Sequence, residues 1–212
     1  MKSLIALRII SEIIELMKKG IILTLSILFS FPVFANLNEF IEKHWRLNST
    51  QKEHLKEGKI LSEATVESDD INQHFFLQGM AMHKRDCTRV LRKLSVLENY
   101  KDWISFIKRS DYNEESRLLT LKADHVLLPY PMIVFIVVDR PSKPGLYPFV
   151  FPTGLFKDLA GFFEIKEIGG RCVVYTESKW SGPKTNIPNI VVEMFSEALS
   201  KKGAEILMRK SR

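Results

Sequence analysis

The 212-residue chain holds only two cysteines and five histidines. It has no G-x-S-x-G, no H-E-x-x-H and no phosphate-cradling glycine loop; Gly154-Leu155-Phe156-Lys157 reads as a turn. The nucleophile elbow, the helical zinc motif and the P-loop therefore all fall away. His83 and Cys87 stand four apart, which suits two metal ligands on one helix face, but zinc wants three or four. His44, His54, His74 and His125 offer no companion spacing, so no metal and no cofactor are expected. Internal repeats and low-complexity tracts are absent too. The formal net charge of +6 is spread along the chain, too diffuse to argue for nucleic acid.

A full membrane span is also lacking. The longest apolar run, inside "MKKGIILTLSILFSFPVFAN" (Met17 to Asn36), is about 15 residues against the roughly 20 a helix needs. Its parts are those of a cleavable export signal: Lys18 and Lys19, the uncharged stretch from Ile21 to Phe31, the helix-breaking Pro32, then Val33-Phe34-Ala35. We expect residues 1–35 to be a signal peptide cleaved near Ala35, with translation starting at Met17 as the simplest account of the residues before it. The expected location is periplasmic or secreted. Residues 1–35 carry four basic and two acidic side chains of the 31 and 25 in the chain, so the mature protein keeps a net charge of +4. That mild excess suits transient contact with an anionic membrane surface.

What remains has single-domain length. Residues 36–62 read as a short helical lead-in. Leu37, Phe40, Ile41 and Trp45 recur at three and four, and Ser49 and Gly58 bracket a second small helix. Residues 63–212 read as the main domain. "INQHFFLQGMAMH" (Ile71 to His83) reads as its first strand. Asp86 then caps a helix with Val90, Leu91, Leu94 and Leu97 inward, and helical spacing runs on through Tyr100, Trp103, Ile104 and Ile107. Five short strand-like runs follow between Arg117 and Trp180, with Gly169-Gly170 as a hairpin turn. An amphipathic helix closes the chain, its apolar stripe built from Ile190, Val191, Met194, Phe195, Ala198, Leu199, Ile206 and Leu207. A long helix with one apolar face must bury it, and a curved antiparallel sheet offers a concave surface.

This order resembles the START-like superfamily, also called SRPBCC or the polyketide cyclase/dehydrase and lipid-transport group. The likeness is carried by "CTRVLRKLSVLENYKDWISFIKRSDY" (Cys87 to Tyr112), "LAGFFEIKEIGGRCVVYTESKW" (Leu159 to Trp180) and "IPNIVVEMFSEALSKKGAEILMRK" (Ile187 to Lys210). "QKEHLKEGKIL" (Gln51 to Leu61) resembles the lead-in of exported members. The resemblance implies an α+β helix-grip fold: a curved antiparallel sheet around a long C-terminal helix, with two short helices after the first strand. It also implies that the first strand pairs with the last, which brings Cys87 and Cys172 within reach of a disulfide; two buried thiols are the alternative.

The function implied is burial of a lipid or isoprenoid between sheet and helix. The residues expected to line that site are Trp103, His125, Phe135, Phe149, Phe151, Phe163, Tyr175, Met194 and Phe195. A cyclase, aromatase or hydrolase using the same cavity is the enzymatic alternative and needs His125, a tyrosine or an acid clustered inside. The third reading is an envelope interaction module with a closed core, the strand "MIVFIVV" being apolar on both faces. Asp139-Arg140-Pro141 reads as an ion pair that orients a turn.

Overall fold

The computed structural model describes residues 36–124, 131–154, 156–184 and 188–211, and the backbone alone at residue 195. These fall in two units, one ending at Arg46 and one running from Leu47 to Arg212. In the first, residues 36–44 form helix α1, with the Phe40 ring edge-on to His44 at 4.8 Å.

The second unit opens with α2 (Ser49–Lys56). Its cap is Asn48 rather than Ser49. The Asn48 side chain accepts from Gln51 N–H at 2.8 Å and the Gln51 side chain accepts from Asn48 N–H at 2.9 Å. Gly58 sits just past the end at φ 86°, a conformation glycine adopts without a Cβ penalty.

Eight strands follow: β1 (Leu61–Ser68), β2 (Asn72–His83), β3 (Ile107–Asn113), β4 (Leu118–Ala123), β5 (Met132–Val138), β6 (Gly145–Val150), β7 (Ala160–Ile168) and β8 (Arg171–Pro183). All pairs are antiparallel, in the order β1-β2-β8-β7-β6-β5-β4-β3. Between β2 and β3 lie α3 (Cys87–Leu94), a 3₁₀ turn (Leu97–Asn99) and α4 (Tyr100–Trp103). The chain ends in α5 (Asn189–Lys210). This is the helix-grip arrangement, and β2 pairs with β8 along its full length, from Asn72↔Pro183 to His83↔Cys172.

Two elements differ from the sequence expectation. The strand expected first is the second, because "LSEATVES" pairs with β2 from Leu61↔Met80 to Ser68↔Gln73. Its polar, weakly alternating sequence hides a strand whose inward side needs little more than Ala64 and Val66. The expected helix through Ile107 stops at Trp103, and Ile107 opens β3. Lys108, Arg109 and Asp111 make β3 a charged edge strand, a common guard against edge-to-edge pairing.

Helix α5 bridges the two ends of the sheet. Near its start it lies on β1 and β2, where Val192 packs on the Val66–Phe75–Trp180 cluster. Near its end Ile206 packs with Ile104 and Ile107. Asn189 Oδ1 accepts from Ser68 Oγ at 2.8 Å and from Gln73 Nε2 at 2.9 Å, which pins the first turn to the β1–β2 hairpin. The apolar stripe is rotated from its expected role at this end: Ile190, Val191 and Met194 point outward.

Candidate functional site

Strand side chains alternate between faces, so the register assigns each one a side. The side facing α5 is the concave face. One row across it runs Phe149 (β6), Gly161 (β7), Ser178 (β8), Leu77 (β2) and Ala64 (β1). The next runs Tyr147, Phe163, Thr176, Gly79 and Ser62. β5 adds Val138, Ile136 and Val134, and β4 adds Leu119 and Leu121.

Small residues explain where the helix sits. A Cβ at Gly79 would lie 3.2 Å from Thr176 Cγ2 and 4.0 Å from Ser200 Oγ of α5, so helix and sheet come close there. Gly161 makes room first for the β8 backbone and then for an aromatic ring: a Cβ would run into Glu177 O and would lie 2.7 Å from Phe149 Cζ and 2.9 Å from Ser178 Cα. The Phe149 ring thus lies across β7 toward β8. It meets Phe163 at 4.9 Å and Phe151 at 6.2 Å between centroids.

Because α5 sits close on β1 and β2, it leaves the middle of the concave face less covered. Leu77, Leu121, Val134, Ile136, Phe149, Phe163 and Val174 all remain only half-buried. The closed end lies under α3, where Cys87, Val90 and Leu91 pack with Tyr147, Ile165 and Cys172. There Cys87 and Cys172 form a disulfide, and Glu167 Oε2 accepts from Cys87 N–H at 3.1 Å.

Solved structures share this arrangement. A START superfamily protein from Mycobacterium smegmatis superposes with a TM-score of 0.51 at 16% identity, over 64% of this chain and 96% of that one. Zhui aromatase/cyclase from Streptomyces sp. R1128 gives 0.52 at 8% identity, over 65% and 93%. Ara h 8.0201 gives 0.51 at 9% identity, over 65% and 97%. The fold is the START-like fold. No family model matches the sequence, and no curated protein matches it.

Within this START-like frame only part of the expected lining comes together. Phe149, Phe151 and Phe163 gather on the concave side. Trp103 stands apart, at the end of α4 beside Ile104, Ile107 and Ile206. Phe135 pairs with Thr120 and points to the opposite face, as do Ile133 and Val137, which leaves β5 apolar on both sides. Tyr175 also points there. It is fully buried, 5.9 Å from Phe162 between centroids, and its hydroxyl donates to Glu177 Oε2 at 3.0 Å. Burial first, then the Glu177 carboxylate, push the Tyr175 phenol well above its ordinary value. Met194 is 66% exposed and points away from the sheet. His125 and the Phe195 side chain lie outside the described residues.

The opposite face is mixed where it is open: Ile133, Leu146 and Val150 are exposed there beside the charged strand residues. A groove of about 790 Å³ lies there near the β1–β2 turn, with Glu67, His74, Asp158 and Lys179 among its lining residues. Helix α2 lies on the same side, where Arg171 Nη1 donates to Lys56 O at 3.5 Å. Phe75, Phe76 and Trp180 line the groove as well.

Asp139 and Arg140 do not pair with each other. Asp139 meets Arg117 at 3.3 Å. Arg140 makes a two-point contact with Glu98 (2.7 and 3.1 Å), donates to Glu114 at 2.7 Å and to Ser95 O, and lies 4.5 Å from the Tyr112 ring centre. The guanidinium is fully committed to tying the turn after β5 to the turn after α3. His83 and Cys87 are likewise committed: Cys87 to the disulfide, and His83 Nδ1 as acceptor of the Arg85 N–H at 3.0 Å. Among the described residues no group of three or more His, Cys, Asp or Glu side chains is placed to hold a metal.

Sequence reasoning missed Leu77, Leu121, Ile136, Thr176 and Ser178 as wall residues. Alternation within "RCVVYTESKW" contains the signal for the last two: counting by twos from Cys172 reaches Val174, Thr176 and Ser178.

Proposed function

We propose that the protein holds a hydrophobic small molecule, of lipid or isoprenoid type, on the concave face beneath α5. The observation that carries this reading is the half-buried state of Leu77, Leu121, Ile136, Phe149 and Phe163 in the middle of the face that α5 spans. Apolar surface left accessible inside a curved sheet gains about 25 cal/mol for every Å² a ligand takes from water. Pockets of this type are mostly apolar with a few polar groups.

The chemistry of the face favours holding over converting. Its ionisable side chains among the described strand residues are His83, Tyr112, Tyr147 and Glu167, and each is committed to a backbone partner. Tyr112 donates to Val138 O at 2.9 Å and Tyr147 to Lys143 O at 2.6 Å, while His83 and Glu167 accept as described above. A carrier or sensor fits such a wall better than an acid–base catalyst does.

We also infer that the protein acts outside the cytoplasm. The signal grammar of residues 17–36 supports this, as does a fully buried disulfide, since such bonds persist in oxidising compartments. Native mass spectrometry of the protein recovered from its exporting host, followed by solvent extraction, tests both points. A defined apolar molecule at near-unit ratio and a mature N-terminus near Asn36 are expected. Protein that arrives empty and takes up no lipid from vesicles overturns the ligand reading, and an intact N-terminus overturns export.

A further inference from the structure

Charge is sorted by face in this sheet. The register places Glu63, Glu67, Lys122, Glu164, Glu177 and Lys179 on the side away from α5, along with the other charged strand residues it pairs. Glu167 is the exception, and it is taken up at the helix α3 terminus. On α5, Glu193 turns its carboxylate to the backbone of β1. Among the described strand residues, the middle of the concave face thus offers no cation to a carboxylate or phosphate and no anion to an amine. A fixed charge brought there would lose its hydration with nothing in return from the described strand residues.

The face does offer hydroxyls. Ser178 is 6% exposed, and among the described residues its side chain has no hydrogen-bond partner; the same holds for the partly buried Thr176 hydroxyl. In the Thr176 row, Ser62 Oγ is buried and unpaired. Buried polar groups are nearly always paired, so the orphaned Ser62 Oγ points to a missing partner, while the Ser178 and Thr176 hydroxyls are not orphaned in this way and are open to a guest or to water. The two on β8 are two residues apart, about 6.8 Å along the strand. Ser178 shares its row with Phe149, whose ring reaches toward it over Gly161, and Thr176 shares its row with Phe163.

We propose that the ligand is an uncharged amphiphile: an apolar body carrying one hydroxyl or carbonyl, with its polar end at Ser178 and Thr176 and its body against Phe149 and Phe163. Alcohols, ketones and esters of this kind fit, and fatty-acid anions and phosphorylated lipids do not. This rests on the concave-face reading above and narrows its ligand class.

The test uses the full mature protein and three probes of matched chain length: hexadecanol, hexadecane and palmitate at neutral pH, each competing with a fluorescent apolar reporter. Hexadecanol is expected to bind tightest, hexadecane about fivefold weaker for the lost hydrogen bond, and palmitate at least a hundredfold weaker than the alcohol. Ser178→Ala combined with Thr176→Val should remove the alcohol's advantage and leave hexadecane unchanged, which doubles as a check that the variant is folded. Phe149→Ala should weaken alcohol and hydrocarbon alike. Palmitate binding as well as hexadecanol overturns the proposal while leaving the crevice standing. An alcohol advantage that survives the double variant also overturns it. Failure of all three probes overturns both this proposal and the ligand reading beneath it.

Discussion

Glu193 Oε1 accepts a 2.6 Å hydrogen bond from the Val66 N–H, so one carboxylate of α5 closes part of the free edge of β1. An edge strand exposes unpaired backbone groups, and covering one with the closing helix both ties the helix down and blunts the edge. Glu193→Ala should cost about 1.5–3 kcal/mol, the range for a hydrogen bond to a charged acceptor. Denaturant unfolding measures it, and hydrogen exchange should quicken at Val66 first. Unchanged exchange at Val66 would mean that the contact contributes nothing in solution.

Removing the disulfide should be costly. Cys87 and Cys172 are separated by 85 positions, and a loop of that size corresponds to about 4–5 kcal/mol in the chain-entropy account. Replacing both by alanine should lower the thermal midpoint by many degrees. Both cysteines are fully buried, so mild reductant should leave the native protein intact and act only once it unfolds. Rapid reduction of the folded protein would contradict this.

Gly161→Ala should be destabilising by about 1–3 kcal/mol, the usual cost of overpacking. The added methyl would meet the Glu177 carbonyl oxygen as well as the Phe149 ring where it crosses β7. Pairing it with Phe149→Ala should recover part of the loss, a coupling that a double-mutant cycle measures. Additive effects would place the whole cost in the contact with the β8 backbone at Glu177 and Ser178.

The Arg140 clamp sets an acid-sensitive component of stability. The Arg140 hydrogen bonds hold the Glu98 carboxyl below its ordinary value, against a smaller opposing effect of burial. A depressed carboxylate stabilises the folded state fully above its unfolded-state value and loses that contribution as pH falls through its folded value. Arg140→Met should therefore be less stable than the parent at neutral pH, by about 1–3 kcal/mol for the lost charge-assisted bonds. The gap should narrow as pH drops below about 4.5, the ordinary glutamate value. A gap constant with pH would place the effect in packing against Tyr112 instead.

Much of this architecture was legible in the sequence because it rests on local signals. Asp86 accepts from Arg89 N–H at 2.8 Å and starts α3, and Gly169 and Gly170 adopt φ of 58° and 71° to turn β7 into β8. The site was less legible. Phe135 and Phe149 look alike as letters, and only the pairing register, Thr120↔Phe135 against Phe149↔Gly161, puts them on opposite faces. Met194 lies on the stripe that periodicity marks as inward, yet it faces out, because Asn189 and Glu193 rotate the start of α5 onto the β1–β2 hairpin. β1 was hidden because its partner, rather than its own composition, makes it a strand.

The sorting of charge by face has a practical consequence for anyone wishing to redesign the molecule. Acidic and basic strand residues sit where exchanging one sign for the other leaves the aromatic wall and its hydroxyls untouched. Isoelectric point, solubility and attraction to a charged surface are therefore free variables, to be rewritten from outside while the inner wall is left unchanged. The converse also holds: side chains of the concave face can be exchanged for other uncharged ones without changing how the protein behaves as a colloid.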